Sequence, residues 1–163
     1  MRELPELERA AGRLFEGWGL PASVLEETTR LADFREAQQE GRVWIALLGD
    51  DRPVGFALVE ILTASVHLEE LDVHPDHGRR GIGRALVAAV CRAAEARELP
   101  VTLTTFRDIP WNAPFYERLG FRILEADELG DELLEIVSDE SRRGLPADRR
   151  VAMKREPRHR GCR

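Results

Sequence analysis

The run Glu70-Leu71-Asp72-Val73-His74-Pro75-Asp76-His77-Gly78-Arg79-Arg80-Gly81-Ile82-Gly83-Arg84-Ala85-Leu86 decides how this chain is read. Apolar alternation from Val66 to Val73 predicts a strand that stops before Pro75. A glycine- and arginine-rich loop follows, and a helical pattern begins directly after it. Such a junction turns several backbone N–H groups outward at a helix N-terminus, where they can hold a phosphate. Gly78, Gly81 and Gly83 carry no Cβ, so a ligand can approach the main chain. Arg79, Arg80 and Arg84 add charge of the matching sign. The stretch reads as a pyrophosphate-binding turn. No Lys-Ser or Lys-Thr follows the glycines, which argues against a nucleoside-triphosphate loop. A dinucleotide site asks for an acidic residue near the end of the next strand, yet Val101 to Phe106 ends in threonines, with only Asp108 beyond.

A second pattern lies downstream, in Leu103-Thr104-Thr105-Phe106-Arg107-Asp108-Ile109-Pro110-Trp111-Asn112-Ala113-Pro114-Phe115-Tyr116-Glu117-Arg118-Leu119-Gly120-Phe121. Asn112 is placed to cap a short helix, with Pro114 in its first turn and Gly120 ending it. Phe115 and Leu119, four apart, are expected to face the core together, with Tyr116 one step round and off that stripe.

Together the two stretches resemble the GNAT superfamily of N-acetyltransferases. Its first signature is a strand, then Arg/Gln-x-x-Gly-x-Gly/Ala opening a helix; here it reads Gly78-Arg79-Arg80-Gly81-Ile82-Gly83. Its second, Asn-x-x-Phe/Ala-Tyr-x-x-x-Gly-Phe, runs here from Asn112 through Tyr116 to Gly120 and Phe121. One departure stands out: Gly78 occupies a position where the family usually has Arg or Gln, which leaves the backbone amides and Arg79 to compensate. The resemblance implies an α/β fold with a mixed, mostly antiparallel sheet, a central splayed pair of parallel strands and flanking helices.

Composition agrees with that class. At 163 residues the chain has the length of one domain, and we expect it to span 1–155, with a mobile tail over 156–163. Apolar content of 43% and charged content of 33% describe an ordinary globule. A net charge of −6 argues against general nucleic-acid binding, which needs a basic face. Cys91 and Cys162 have neither the number nor the spacing of a metal site or disulfide framework, so no metal is expected. No apolar stretch approaches the roughly 18 residues of a membrane span and no signal-peptide core is visible, so a cytoplasmic protein without membrane contact is the expectation.

Along the chain, Leu4, Leu7, Ala11, Leu14, Phe15 and Trp18 recur at helical spacing, ended by Gly19 and Pro21. A mostly polar helical segment covers about Val24 to Gln39, broken near Asp33. Strands are predicted over Val43–Leu48 and Val54–Leu62 around a Gly49-Asp50-Asp51 turn, then Val66–Val73. The helix after the glycine loop places Ile82, Leu86, Ala89, Val90 and Ala93 on one face. Val101–Phe106 must run parallel to the strand before that helix, because a crossover helix joins them. Further strands are expected at Phe121–Glu125 and Val151–Lys154, with Asp131 capping a helical segment between them.

The resemblance implies acetyl-CoA as co-substrate and an amine as acceptor. Its pyrophosphate would rest on the amides from Arg79 to Ala85, and its pantetheine arm would pair with Leu71, Asp72 and Val73 like an added strand. The acetyl oxygen would meet a main-chain N–H near Val73, and Asn112 would contact the pantetheine. Tyr116 stands at the position of the family's general acid; packed on its helix with the hydroxyl in solvent, it would have no such role. Glu69 and Glu70 alternate in direction along a strand, so only one can enter the cleft; we favour Glu70 as base, with His67 a weaker candidate. A base acting through water, no dedicated base, or two solvated glutamates are the competing readings.

The remaining residues have ordinary readings. Cys91 is a structural thiol beside the apolar face of its helix. His74 and His77 are loop histidines that can also reach a phosphate. Trp18, Trp44 and Trp111 are core candidates, with Trp111 best placed for an acceptor pocket. The acidic residues near the strand point weakly to a cationic amine. Homodimers are common among similar proteins. A non-catalytic acyl-CoA sensor on the same fold is the rival reading.

Overall fold

The computed structural model describes residues 1–49 and 51–158. Asp50 of the expected hairpin turn, the tail from 159 to 163 and therefore Cys162 lie outside the described residues. The elements run α1 (Leu4–Gly12), α2 (Ala22–Glu26), α3 (Leu31–Gln39), β1 (Val43–Leu47), β2 (Pro53–Ile61), β3 (Val66–Val73), α4 (Ile82–Glu95), β4 (Val101–Phe106), α5 (Ala113–Glu117), β5 (Arg122–Ile123), α6 (Asp131–Arg142) and β6 (Arg150–Arg155). The six strands form one sheet in the order β1-β2-β3-β4-β6-β5. Every neighbouring pair is antiparallel except β3 and β4, which run parallel across the α4 crossover. This is the mixed sheet the sequence implies.

Helices cover both faces. Alternation along β2 sends Ala57 and Val59 to one face, against Leu86, Val87, Val90 and Cys91 of α4 and Tyr116 of α5. Phe56 and Leu58 go to the other, against Leu4 and Leu7 of α1 and Phe34 and Ala37 of α3. There Phe34 and Phe56 meet edge to face at 5.1 Å, a geometry that adds about 0.5–1.5 kcal/mol to simple burial. A smaller cluster joins Leu133 of α6 to Leu124 and to Ala152 of β6.

Several local expectations change. The polar N-terminal segment is two helices separated at 27–30, and the first helix tightens into a 3-10 turn over Arg13–Phe15. Cys91 lies within the buried face of α4 and not beside it, so the stripe runs Leu86, Val87, Val90, Cys91, Ala94. The strand after α5 is only two residues long. Gly130, not Asp131, holds the N-cap position of α6, and its side-chain-free cap leaves Asp131 as first-turn acid favouring the helix dipole.

Candidate active site

The site begins where the sheet comes apart. β3 and β4 pair only at Val66–Val101, His67–Thr102 and Leu68–Leu103. Past that point β3 stays hydrogen-bonded to β2, from Glu70–Leu58 to Val73–Gly55, while β4 stays paired with β6 as far as Phe106–Arg150. Each strand therefore offers one unpaired edge to the gap. A cleft of about 1420 Å³ opens there, lined by both strands, the glycine loop, α1 and α5.

A bulge in β3 orients the residues at the gap. Leu68 pairs with Val59 and Glu70 with Leu58, so Glu69 is the extra residue. Leu68 faces the α4 core, and the slip lets Leu71 and Val73 face it too. Glu70 and Asp72 are thereby turned to the α1 side, opposite Leu58 and Phe56. Strict alternation would have driven both carboxylates into the apolar core. Glu69 is exposed and lies nearer Glu60 and Arg42.

The glycine loop has the shape of an anion cradle. Gly81 takes the left-handed conformation (φ 82°) that starts α4, and Arg79 is held at φ 56°, a region that costs a side chain about 1–2 kcal/mol. The first intrahelical bond is Ala85 N–H to Gly81 C=O at 3.0 Å, which leaves the N–H groups of Ile82, Gly83 and Arg84 without helical acceptors. A Cβ on Gly83 would already stand 3.6 Å from Phe115 Cζ and 3.7 Å from Val73 Cγ2, so a larger side chain has no room behind the loop. Arg79 and Arg84 line the cleft, whereas Arg80 donates to His77 Nδ1 at 3.0 Å. His74 Nδ1 accepts from the Asp76 N–H at 3.3 Å, so both histidines serve the loop's own shape. At Gly78 a Cβ would press to 3.2 Å from the Pro75 carbonyl oxygen.

Across the gap, one carboxylate oxygen each from Glu8, Glu70 and Asp72 lies within 4.8 Å of the others. That spacing could serve a cation, metal or organic. Glu8 is fixed from the α1 side: the Thr29 N–H donates to Oε2 at 2.9 Å and the Thr29 hydroxyl to Oε1 at 3.1 Å. Burial pushes Asp72 up to about 8, with Glu8 adding to the rise. Burial raises Glu70 well above the carboxylate range, with help from Asp72, Glu8 and Glu69. Like charges this close share protons, so the pair titrates as a unit.

Tyr116 is only 9% exposed, which corrects its placement off the core stripe. Its ring packs on Phe115 and Phe121 at 5.1 and 5.7 Å, and Phe115 and Leu119 are the half-buried ones. Burial first, then the charges of Asp72 and Glu70, hold its phenol above the usual range. Asn112 also lines the cleft, but its side chain makes no cap; its carbonyl accepts from Phe115 N–H at 2.8 Å and Tyr116 N–H at 3.2 Å.

The opposite wall is a closed polar network. Arg150 donates to both Glu140 oxygens, at 2.7 and 3.2 Å, and to the Thr104 hydroxyl at 2.9 Å. Thr104 in turn donates to Glu140. His67 Nδ1 shares a hydrogen bond with Thr102 Oγ1 at 3.1 Å, and burial drives its pKa down to about 4, which makes it a weak base. At the mouth, Trp111 is 40% exposed and meets Phe15 and Trp18 with centroids 6.2 and 5.3 Å apart. Trp44 packs against the core instead.

Sequence reading thus brought Glu70, Asp72, Tyr116, Asn112 and the loop to one cleft. It missed Glu8, Thr29, Glu140 and Arg150. Glu8 had a signal: it stands four after Leu4 and three before Ala11, on the apolar stripe of α1, where a charged residue asks for a reason.

The sequence pattern of the acetyltransferase (GNAT) domain matches residues 39–123. The chain is 32% identical over 110 residues to the peptidyl-lysine N-acetyltransferase YjaB of Escherichia coli K12, covering 64% of this chain and 69% of that protein. It is 30% identical over 94 residues to the Salmonella typhimurium YjaB, covering 56% and 59%. Among solved structures, PaiA N-acetyltransferase from Thermoplasma acidophilum in complex with coenzyme A superposes with a TM-score of 0.68 at 15% identity, over 95% of this chain and 91% of that one. N-acetylglutamate synthase from Neisseria gonorrhoeae, complexed with coenzyme A and N-acetyl-glutamate, gives 0.68 at 16% identity, over 98% and 34%.

Proposed function

Since the chain belongs to the GNAT acetyltransferase family, we propose that it transfers acetyl from acetyl-CoA to a primary amine by direct attack in a ternary complex. The observation that carries this reading is the parting of β3 from β4 beyond Leu68, with a carboxylate cluster and Tyr116 at the gap. The unpaired edge of Leu71–Val73 suits the pantetheine amides, and the free N–H groups of Ile82, Gly83 and Arg84 suit the pyrophosphate, with Arg79 and Arg84 beside them. A main-chain N–H near Val73 would hold the developing oxyanion.

In this reading Glu70 takes a proton from the incoming ammonium, with its raised pKa matched to that task. The freed nitrogen bonds to the acetyl carbon, the C–S bond breaks as Tyr116 donates its proton to the departing sulfur, and the nitrogen's surplus proton goes to the Tyr116 oxygen, which leaves a neutral amide and restores the phenol. Cys91 is buried in the α4 core and offers no acyl-enzyme route. The relatives named for peptidyl-lysine make a lysine ε-amine the first acceptor to test.

Free-thiol release from acetyl-CoA against a panel of amines, lysine peptides included, tests the proposal. Release is expected; coenzyme binding with no release across the panel would instead favour an acyl-CoA sensor. Gly83→Trp should abolish binding and release together, and an unchanged calorimetric affinity would remove the turn from the site.

A further inference from the structure

The cations that line the cleft divide sharply. At the acceptor end each is already paired: Arg30 with Asp33 at 2.9 Å, Arg42 with Glu40 at 2.6 Å, Arg143 with Glu27 at 2.8 Å and Arg150 with Glu140 at 2.7 Å. Arg79 and Arg84 belong to the glycine loop at the other end. Among the described residues, then, the acceptor end holds no uncommitted arginine for an acceptor carboxylate, while Glu8, Glu70 and Asp72 bring three carboxyl groups together, whose ionised forms a bound cation would favour.

A second observation points to a ligand there. The Tyr116 hydroxyl has no hydrogen-bond partner among the described residues, although the residue is nine-tenths buried. Among the described residues no fully buried side-chain oxygen or nitrogen is unpartnered, so this hydroxyl is reached from the cleft that Tyr116 lines. The charges acting on it most are those of Asp72 and Glu70. A hydroxyl left open on the cleft has its partner supplied by whatever enters, and its oxygen can accept from an ammonium.

A third concerns the route in. Phe15 lies seven residues after Glu8, two helical turns along, and it lines the cleft with Phe106 and Trp111. Phe15 stands 5.9 Å from Phe106 and 6.2 Å from Trp111. These rings line the same cleft as Glu8, Glu70 and Asp72, so one wall offers apolar contact and another carboxyl groups.

We infer that the acceptor is a primary ammonium on an unbranched apolar stem with no carboxylate beside the amine, held by Glu8 together with Asp72 and Glu70 and by the Phe15–Trp111 wall. This rests on the acetyl transfer proposed above and names its substrate class, which a lysine side chain and a free alkyl diamine share. Glu8 is the specificity-determining residue. It meets the ammonium from α1, and Thr29 fixes its orientation.

The test compares Nα-acetyllysine amide and 1,5-diaminopentane with glycine and glutamate, by thiol release. The two stem amines should exceed the α-amino acids in kcat/KM by about tenfold or more. Glu8→Gln should raise the stem-amine KM about tenfold, with the coenzyme Kd unchanged as proof of folding. Trp111→Ala, at an exposed position, should raise the same KM severalfold and serves if the Glu8 variant misfolds. Use of the diamine but not the lysine amide would assign a small-molecule source; the reverse would assign a polypeptide. Equal or better use of glutamate, or an unchanged KM in both variants, overturns the inference and leaves acetyl transfer standing. If no amine releases thiol, calorimetry of Nα-acetyllysine amide into the coenzyme-loaded protein decides. Binding that weakens in Glu8→Gln supports the recognition, and no binding overturns it.

Discussion

The Tyr116 ring is held between Phe115 and Phe121, and its phenol lies within the influence of the Asp72 and Glu70 carboxyls. Tyr116→Phe should therefore lower turnover about 10²-fold while the coenzyme Kd stays near its starting value; unaltered turnover would deny Tyr116 the acid role. Asp72 carries a different consequence. Its carboxyl is raised to about 8 in the folded protein, against about 3.9 when unfolded, so the folded state binds more protons between those limits. Stability on its account is full below pH ~4 and is lost as pH rises toward ~8. Asp72→Asn should stabilise the fold by about 1–3 kcal/mol at pH 8 and by almost nothing at pH 4, a difference visible in paired thermal melts. An equal gain at both pH values would mean that the carboxyl ionises freely. Tyr116 was legible because a motif fixes its place. The coupling of Asp72 to Glu8 was not, since 64 residues of chain separate them and only the packing of α1 on β3 brings them together.

The bulge in β3 decides which chemistry each face receives. Deleting Glu69 would remove the extra residue, so that Leu68, Glu70, Leu71, Asp72 and Val73 alternate strictly and Leu71 and Val73 keep the α4 face. The deletion variant should keep a cooperative melt like that of the parent, and loss of that melt would mean that the bulge's own geometry, not the parity of the strand, holds the two faces apart. The bulge was readable. Val66 and Leu68 fall on even positions, Leu71 and Val73 on odd ones, and two glutamates sit at the change of phase. A rule of uniform alternation passes over it. The cap at Asn112 failed for a related reason: the right residue type stood at the right place, but the chain uses its carbonyl and leaves the side chain to the cleft.

Across the whole molecule, the acceptor wall is tied to the far end of the chain. Arg149 donates to the Trp18 carbonyl oxygen at 2.7 Å and to Asp108 at 2.8 Å, just ahead of β6. Arg149→Ala should loosen the Phe15–Trp18 segment, raising acceptor KM severalfold, worth about 1 kcal/mol, with coenzyme affinity intact. An unchanged KM would show that the aromatic contacts suffice. The parallel pair followed from element sequence alone, whereas the extent of the gap did not. β3 leaves β4 directly after Leu68, at the Glu69 bulge, which a rule of uniform alternation does not mark. That parting has a measurable consequence. Only three residue pairs stitch the two halves of the sheet together, so the gap-facing amides between Leu71 and Val73 have no internal shield from solvent deuterium. Their exchange should be quick in the free protein and slow once the coenzyme is bound, a clock at the seam that reports occupancy without any turnover.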